Sequence, residues 1–184
     1  MRLPLLASRR LVVEVVMASN FFVAGGAALT SENMEWETPP ELFEALDVIW
    51  HFDLDPCASD ENHLCDDYYT IEDDGLSKDW GGRRVFCNPP YGRSIGTWLE
   101  KAARESLKPD TVVVCLCPAR TDTSYWHDWV APHAAEVSFL RGRVKYRLHG
   151  KELNSSPFPS CLIRFGGRLP NTAKPEALRN ERLF

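Results

Sequence analysis

Thr111-Val112-Val113-Val114-Cys115-Leu116-Cys117 is an unbroken apolar run rich in β-branched residues. A strand with one wet face alternates polar and apolar side chains, whereas a run without alternation is covered on both faces, as in the interior of a parallel sheet. The run therefore predicts a central strand with helices above and below it. Upstream, Ser94 starts a helix that sets Ile95, Trp98, Leu99 and Ala102 on one side. Before that helix, Arg84 to Cys87 reads as a second strand, which leads straight into Asn88-Pro89-Pro90-Tyr91. Downstream, Glu136 to Leu140, Arg143 to Leu148 and Ser160 to Phe165 read as closing strands, two of them paired as a hairpin around His149-Gly150. Strands alternating with helical segments define an α/β layer architecture.

Towards the N-terminus, Thr38-Pro39-Pro40-Glu41 has the form of a helix start, with threonine as N-cap, proline at the first helical position and glutamate completing a capping box. Leu42, Phe43, Leu46 and Ile49 follow at helical spacing. His51-Phe52-Asp53-Leu54-Asp55 alternates and ends in Pro56, which predicts a short strand. Ala58 to Trp80, acidic and aromatic, is expected to be loop with short helix. Residues 1–33 differ in texture. Arg2, Arg9 and Arg10 precede an apolar stretch, but Glu14, Asn20 and the flexible Ala24-Gly25-Gly26-Ala27 make it a poor export signal or membrane span. A disordered extension is expected there, with Met17 or Met34 as alternative natural starts, followed by one folded domain over 34–166 and a mobile tail over 167–184.

A chain of 184 residues with 44% hydrophobic and 26% charged residues has room for one domain with a real core. Its net charge of −5 is unevenly divided: residues 35–80 carry fifteen acids against one lysine, whereas residues 81–184 carry seventeen Lys and Arg against nine acids. The second half can therefore face phosphates despite the acidic total. The six cysteines show no C-x-x-C at zinc spacing, so no metal is implied. Cys87, Cys115, Cys117 and Cys161 lie in apolar runs and read as small buried residues of a reducing cytosol.

Asn88-Pro89-Pro90-Tyr91 is a rigid corner at a strand end. Pro-Pro after a strand is also an ordinary turn, with Asn as its usual starter. The corner has specific chemical capacity, however. The lone pair of an aromatic amine is delocalised into its ring, so drawing that nitrogen towards tetrahedral geometry takes two hydrogen-bond acceptors. The Asn88 side-chain carbonyl and the Pro89 main-chain carbonyl supply two, held in place by fixed proline φ angles, and Tyr91 adds a flat face for stacking.

In order along the chain, Glu37-Thr38-Pro39-Pro40-Glu41, Leu54-Asp55-Pro56-Cys57-Ala58, Asp74-Gly75-Leu76 with Trp80, and Asn88-Pro89-Pro90-Tyr91 resemble the DNA adenine N6-methyltransferases that use S-adenosylmethionine, in particular the compact phage and prophage Dam-type family. Pro118-Ala119-Arg120-Thr121-Asp122-Thr123, Arg141-Gly142-Arg143 and Pro157-Phe158-Pro159-Ser160 carry the likeness on, so that it covers roughly Trp36 to Phe165. The resemblance implies an abbreviated Rossmann-like (class I) methyltransferase sheet with flanking helices. It also implies that Thr38 and Pro39 border the methionine end of S-adenosylmethionine, that Asp55 faces its amino group, and that Asp74 accepts from its adenine amine. The plainer reading of Asp55 is a turn carboxylate before proline, and Asp73 competes with Asp74, whose spacing to Gly75, Leu76 and Trp80 fits the family pattern. No G-x-G fingerprint follows the first strand, and only about thirty residues separate Asp55 from Asn88, so the nucleotide-binding half must be shortened. Asp60, Glu61, Asp66 and Asp67 all compete for the cofactor ribose.

By the same resemblance, Asn88 and Pro89 hold the amine of an adenine flipped out of double-stranded DNA, Pro90 fixes the turn, and Tyr91 stacks on the base. Arg143 and Lys145, with Arg147, share one face if extended, and Arg141 and Arg120 are neighbouring candidates for phosphate contact. Phe158 either closes on the second face of the base or packs in the core. Trp126 and Trp129 are expected to cover core, and Cys87, inside a strand, is not a nucleophile. The expected protein is a DNA N6-adenine methyltransferase, monomeric or weakly dimeric, acting without a metal in the cytoplasm of a phage's bacterial host. The same corner on cytosine N4, on RNA or on a protein amide is an alternative, as is an inactive DNA-binding module.

Overall fold

A computed structural model describes residues 36–167 of the chain. The extension expected over 1–33, and the expected tail apart from Gly167, lie outside the described residues. The elements are α1 (Pro40–Trp50), β1 (Arg84–Cys87), α2 (Ile95–Glu105), β2 (Val112–Pro118), a π-helical turn (Trp126–Val130) running into α3 (Ala131–His133), β3 (Glu136–Phe139), β4 (Arg147–Leu148), β5 (Lys151–Glu152) and β6 (Ser160–Gly166).

β2 is the buried interior strand that its composition demands. All seven of its residues are buried, and the sheet order is β1-β2-β6-β3. The parallel expectation holds on one side only. β1 pairs with β2 in parallel, whereas β6 runs antiparallel to both β2 and β3. Apolar continuity reports that both faces of a strand are covered and carries nothing about the direction of its neighbours. Because β6 is inserted in reverse, β1, β2 and β3 all point the same way. Their carboxyl ends lie at one edge of the sheet, which is also where β6 begins, since Pro118 pairs with Ser160 and Phe139 with Cys161.

The two-residue period of a strand sorts the core into two layers. Val113, Cys115 and Cys117 of β2 pack with Trp98, Leu99 and Ala102 of α2 and with Trp126 and Val130 of the π-helical turn. Val114 and Leu116 point the other way, onto Leu42 and Leu46 of α1 and onto Phe86, Val144 and Tyr146. The apolar stripes of α1 and α2 therefore cover opposite faces of one sheet, and Trp126 covers core as expected.

Three local expectations are corrected. The capping box does not form: α1 begins at Pro40 with Pro39 as its N-cap residue, and no side chain caps it. The Pro39 carbonyl accepts from Leu42 and Phe43 at 3.0 and 3.2 Å, so the second proline shifts the helix start by one residue and leaves Thr38 outside it. The strand expected over His51–Asp55 is reduced to bridges. Leu54 pairs with Val85 and Asp55 with Tyr68, both in parallel, while His51 ends α1 in the left-handed region at φ 50°. The hairpin around His149-Gly150 is present, but its arms are Arg147–Leu148 and Lys151–Glu152, and residues 143–146 lie outside any strand.

Residues 58–80 contain turns and bends without a regular helix. They are held by Trp80, which is fully buried and donates its indole N–H to the Gly75 carbonyl at 3.0 Å. The Trp80 main-chain N–H reaches Glu105 Oε2 at 2.8 Å, and Lys101 and Lys108 close on the same carboxylate at 2.7 Å each. Gly75 itself lies against the main chain of Pro56, where a Cβ would stand 2.2 Å from the carbonyl oxygen. The Asp74-Gly75-Leu76 loop is thereby pressed onto the turn that follows Asp55. Gly75→Ala is expected to force these two loops apart and to cost about 1–3 kcal/mol, seen as a lower midpoint in urea unfolding; an unchanged midpoint would show that the loop can shift freely.

Candidate active site

β1 delivers Asn88 to the carboxyl edge of the sheet. The Asn88 amide nitrogen donates to the main-chain carbonyl of Trp36. A carbonyl can only accept, so this partner dictates which end of the carboxamide carries nitrogen and turns Oδ1 to the opposite side. There Oδ1 is buried without a hydrogen-bond partner among the described residues. A buried orphan acceptor costs about 1–3 kcal/mol, and such exceptions in a folded protein call for an explanation. Pro89 is buried beside it.

Tyr91, half-buried, joins a cluster of rings with Trp36, Tyr146 and Phe158. The Tyr91 ring meets Tyr146 at 5.8 Å and 81° and Phe158 at 5.6 Å and 86°. Burial pushes its phenol well above the usual range, so it is a neutral hydroxyl. Phe158 is itself buried, edge-on to Trp36 at 5.4 Å, which makes core packing its observed environment.

The residues expected at the cofactor gather beside this corner. Thr38 is buried and its Oγ1 has no partner among the described residues. It lies two residues from the carbonyl that holds Asn88. Asp55 is adjacent through β1: Leu54 pairs with Val85, and the Cys57 thiol contacts that of Cys87, the residue before Asn88. Asp74 comes with Gly75 onto Pro56. Of the competing neighbours, Asp73 is occupied by the N–H and hydroxyl of Thr70 at 2.9 and 3.0 Å, whereas Asp74, at φ 54°, is exposed and its carboxylate accepts no hydrogen bond among the described residues. Of the four acids weighed for the ribose, Asp67 pairs with Arg83 and Asp60 accepts from the Tyr68 hydroxyl.

Asp55 is only 5% exposed, and burial raises its carboxyl to about 6. The main-chain N–H groups of Cys57 and Leu64, at 3.2 and 3.3 Å, and the charge of His63 act in the opposite sense without overcoming that burial. A carboxylate so poorly paired by its own chain is well matched to a cationic group from outside. Cys87 is unsuited to nucleophilic attack, because burial and then the thiols of Cys115 and Cys57 push its own thiol well above the usual range. Among the described residues no three His, Cys, Asp or Glu side chains gather to hold a metal, and no helix is long and apolar enough to cross a membrane.

The expected cations line the same edge. Arg120 follows β2, and Arg141 and Arg143 follow β3. Residues 143–147 alternate as read, with Arg143 and Lys145 exposed and Val144 and Tyr146 buried. Lys145 pairs with Glu152 at 3.6 Å and Arg147 with Glu41 at 3.5 Å, whereas Arg141 and Arg143 form no ion pair among the described residues. Two features escaped the sequence reading. The Trp36 carbonyl is a main-chain group and leaves no residue-type signal. The inward place of Tyr146 was legible in the alternation, though not its contact with Tyr91.

The fold is thus a mixed α/β sheet with a single reversed strand, and the amide-bearing proline corner stands at its carboxyl edge, where ligands of open α/β sheets bind. The sequence pattern of the DNA N-6-adenine-methyltransferase (Dam) family matches residues 26–165, and the chain belongs to that family. It is similar to the DNA N-6-adenine-methyltransferase of Escherichia phage T1, 31% identical over 119 residues that cover 64% of this chain and 49% of that one. It is also similar to the DNA N-6-adenine-methyltransferase of Haemophilus phage HP1 (strain HP1c1), 29% identical over 141 residues that cover 73% of this chain and 80% of that one. The chain thus spans about half the length of the phage T1 relative.

The titration of Asp55 predicts a pH signature. Its folded value of about 6 lies above the ordinary 3.8, so between these values the folded state binds more protons than the unfolded state, and stability falls as pH rises through that window. From pH 4 to 7 the wild type should lose up to about 3 kcal/mol relative to Asp55→Asn, measured as the difference between their urea-unfolding free energies. Parallel pH profiles for the two proteins would contradict the assigned burial.

Proposed function

We propose that the chain is a DNA N6-adenine methyltransferase that uses S-adenosylmethionine and acts on a flipped adenine in double-stranded DNA. The observation that carries this reading is the Asn88 carboxamide, whose nitrogen is tied to Trp36 and whose oxygen is buried and unpartnered at a proline-stiffened corner. The family membership and the names of the two phage relatives support the same reaction. We read the sheet as the abbreviated Rossmann-like (class I) form, with three strands pointing one way, one reversed strand between β2 and β3, and ligands beyond the carboxyl ends.

The donor set suits S-adenosylmethionine. Thr38 offers a buried hydroxyl without a partner, Asp55 a buried carboxylate for the amino group, and Asp74 a free carboxylate for the adenine amine, while Pro39 borders the methionine end. Bound there, the cofactor supplies an electrophilic methyl group on a sulfonium. The protein's own part is alignment and charge. Asn88 Oδ1 and the Pro89 carbonyl accept the two N–H bonds of the target amine and draw its lone pair out of the ring, Pro90 keeps the corner rigid, and Tyr91 stacks on the base. Preset acceptors and alignment each lower such a barrier by several kcal/mol, on the order of 3–10. Arg120, Arg141, Arg143 and Lys145 hold phosphates around the flipped nucleotide, and Phe158 backs the Tyr91 ring. The enzyme acts as a monomer or weak dimer in the cytoplasm of the bacterial host.

Nucleoside analysis of DNA from cells expressing the chain tests reaction, base and atom together; N6-methyladenine is expected, and label from S-adenosylmethionine appearing only in RNA, protein or cytosine would overturn the reading. Asn88→Ala should lower turnover by at least about a hundredfold while cofactor affinity survives, whereas equal loss of cofactor affinity would contradict the role given to Asn88. Arg143→Ala should weaken DNA binding and lower the slope of log K against log salt by about 1; a slope equal to that of the wild type would remove Arg143 from the phosphate contacts.

A further inference from the structure

Tyr146 is fully buried and sits in the basic segment, yet its hydroxyl reaches the Asn88-Pro89-Pro90-Tyr91 corner. It lies 3.0 Å from the Tyr91 hydroxyl and 3.0 Å from Ser160 Oγ, and the Tyr91 hydroxyl lies 3.2 Å from the Leu116 carbonyl. The carbonyl can only accept, whereas both tyrosines and Ser160 can give or take, so three hydroxyls form one satisfied chain ending on β2. Because Tyr91 is held by its main chain at one end and by this chain at the other, the axis and position of its ring are fixed, while the edge-on rings of Tyr146 and Phe158 hold its plane. A ring against which a flipped base must stack benefits from that constraint, since the ordering is complete before the base arrives.

The same segment reaches Asn88 by a second route. Arg147 pairs through both its N–H and its carbonyl with Glu37 at 3.0 Å each, and the Gly150 N–H binds the Glu37 carboxylate at 3.0 Å. Glu37 is the neighbour of Trp36, whose carbonyl orients Asn88. Outward from this segment point Arg143 and Lys145. We propose that Tyr146 is a positioning residue for the methyl transfer: through the hydroxyl chain it fixes where the Tyr91 ring lies, and through its place in the segment it ties that ring to the phosphate-facing side chains. This rests on the reading given under the proposed function.

The test uses the full chain, labelled S-adenosylmethionine and DNA free of adenine methylation, with kcat expressed per cofactor-binding site so that loss of folded protein does not count. Tyr146→Phe keeps the rings packed and removes the shared hydroxyl; kcat is expected to fall about tenfold, equivalent to about 1.4 kcal/mol, with the KM for DNA and the cofactor Kd changed less than about twofold. Tyr91→Phe breaks the same chain, so the double variant should be no slower than the slower single one. An unaltered kcat in Tyr146→Phe, or losses that multiply in the double variant, would overturn the proposal while leaving the functional reading intact. A wild type that transfers no methyl group to DNA would instead overturn the functional reading on which it rests. If Tyr146→Phe does not fold, Ser160→Ala leaves every ring in place and removes one partner of Tyr146; kcat should fall about threefold, and no change would sink the proposal.

Discussion

The hydrogen bond from the Asn88 amide to the Trp36 carbonyl is the contact on which the rest of the site depends. It joins the end of β1 to the segment before α1, far apart in sequence, and it does so through a partner that cannot donate. The orientation of the carboxamide follows from that, and so does the buried oxygen left without a partner among the described residues. Residues 36–38 thereby become a junction. Trp36 holds Asn88, Glu37 pairs with the basic segment at Arg147, and Thr38 carries a buried hydroxyl with no partner of its own among the described residues.

The division of charge along the sequence carries into space only in part, since Asp53 pairs with Arg83 and Arg84, Asp67 with Arg83, Asp79 with Lys108 and Glu41 with Arg147. The acidic segment folds back on Asp55, whose carboxylate gathers the N–H groups of Cys57 and Leu64, and Gly75 presses the Asp74 loop onto the same turn. The cations come instead from the ends of β2 and β3 and from the segment that follows. The carboxylates Asp55 and Asp74 thus come from the turns before β1, and Arg120, Arg141 and Arg143 from the segments that follow β2 and β3.

Much of the scaffold was legible in local pattern. The run Val112–Cys117 could only be covered on both faces, the spacing of Ile95, Trp98, Leu99 and Ala102 could only be one side of a helix, and Asn88-Pro89-Pro90-Tyr91 could only be a stiff corner after a strand. What was misread turned on competition between neighbours. Thr38 has the chemistry of an N-cap, but Pro39 and Pro40 fix the backbone so that the Pro39 carbonyl caps the helix, and the hydroxyl is left free. His51 to Asp55 alternates like a strand, but the left-handed turn at His51 leaves only its last two residues in bridges. Phe158 belongs to an aromatic cluster whose other members, Trp36, Tyr91 and Tyr146, lie far away along the chain.

The residues by themselves determined an α/β domain, the rigid proline corner at a strand end, the division of charge along the chain and the family to which they belong, because each is written in residue type and short-range spacing. Only the tertiary structure decided that β6 runs backwards between β2 and β3, that Trp36 orients Asn88, that Asp55 is buried enough to hold its proton to about 6, and that Tyr146 reaches Tyr91. These depend on which main-chain groups and which buried faces meet across long stretches of chain. Neither strand direction nor the partner of a carbonyl leaves a periodic mark in the sequence.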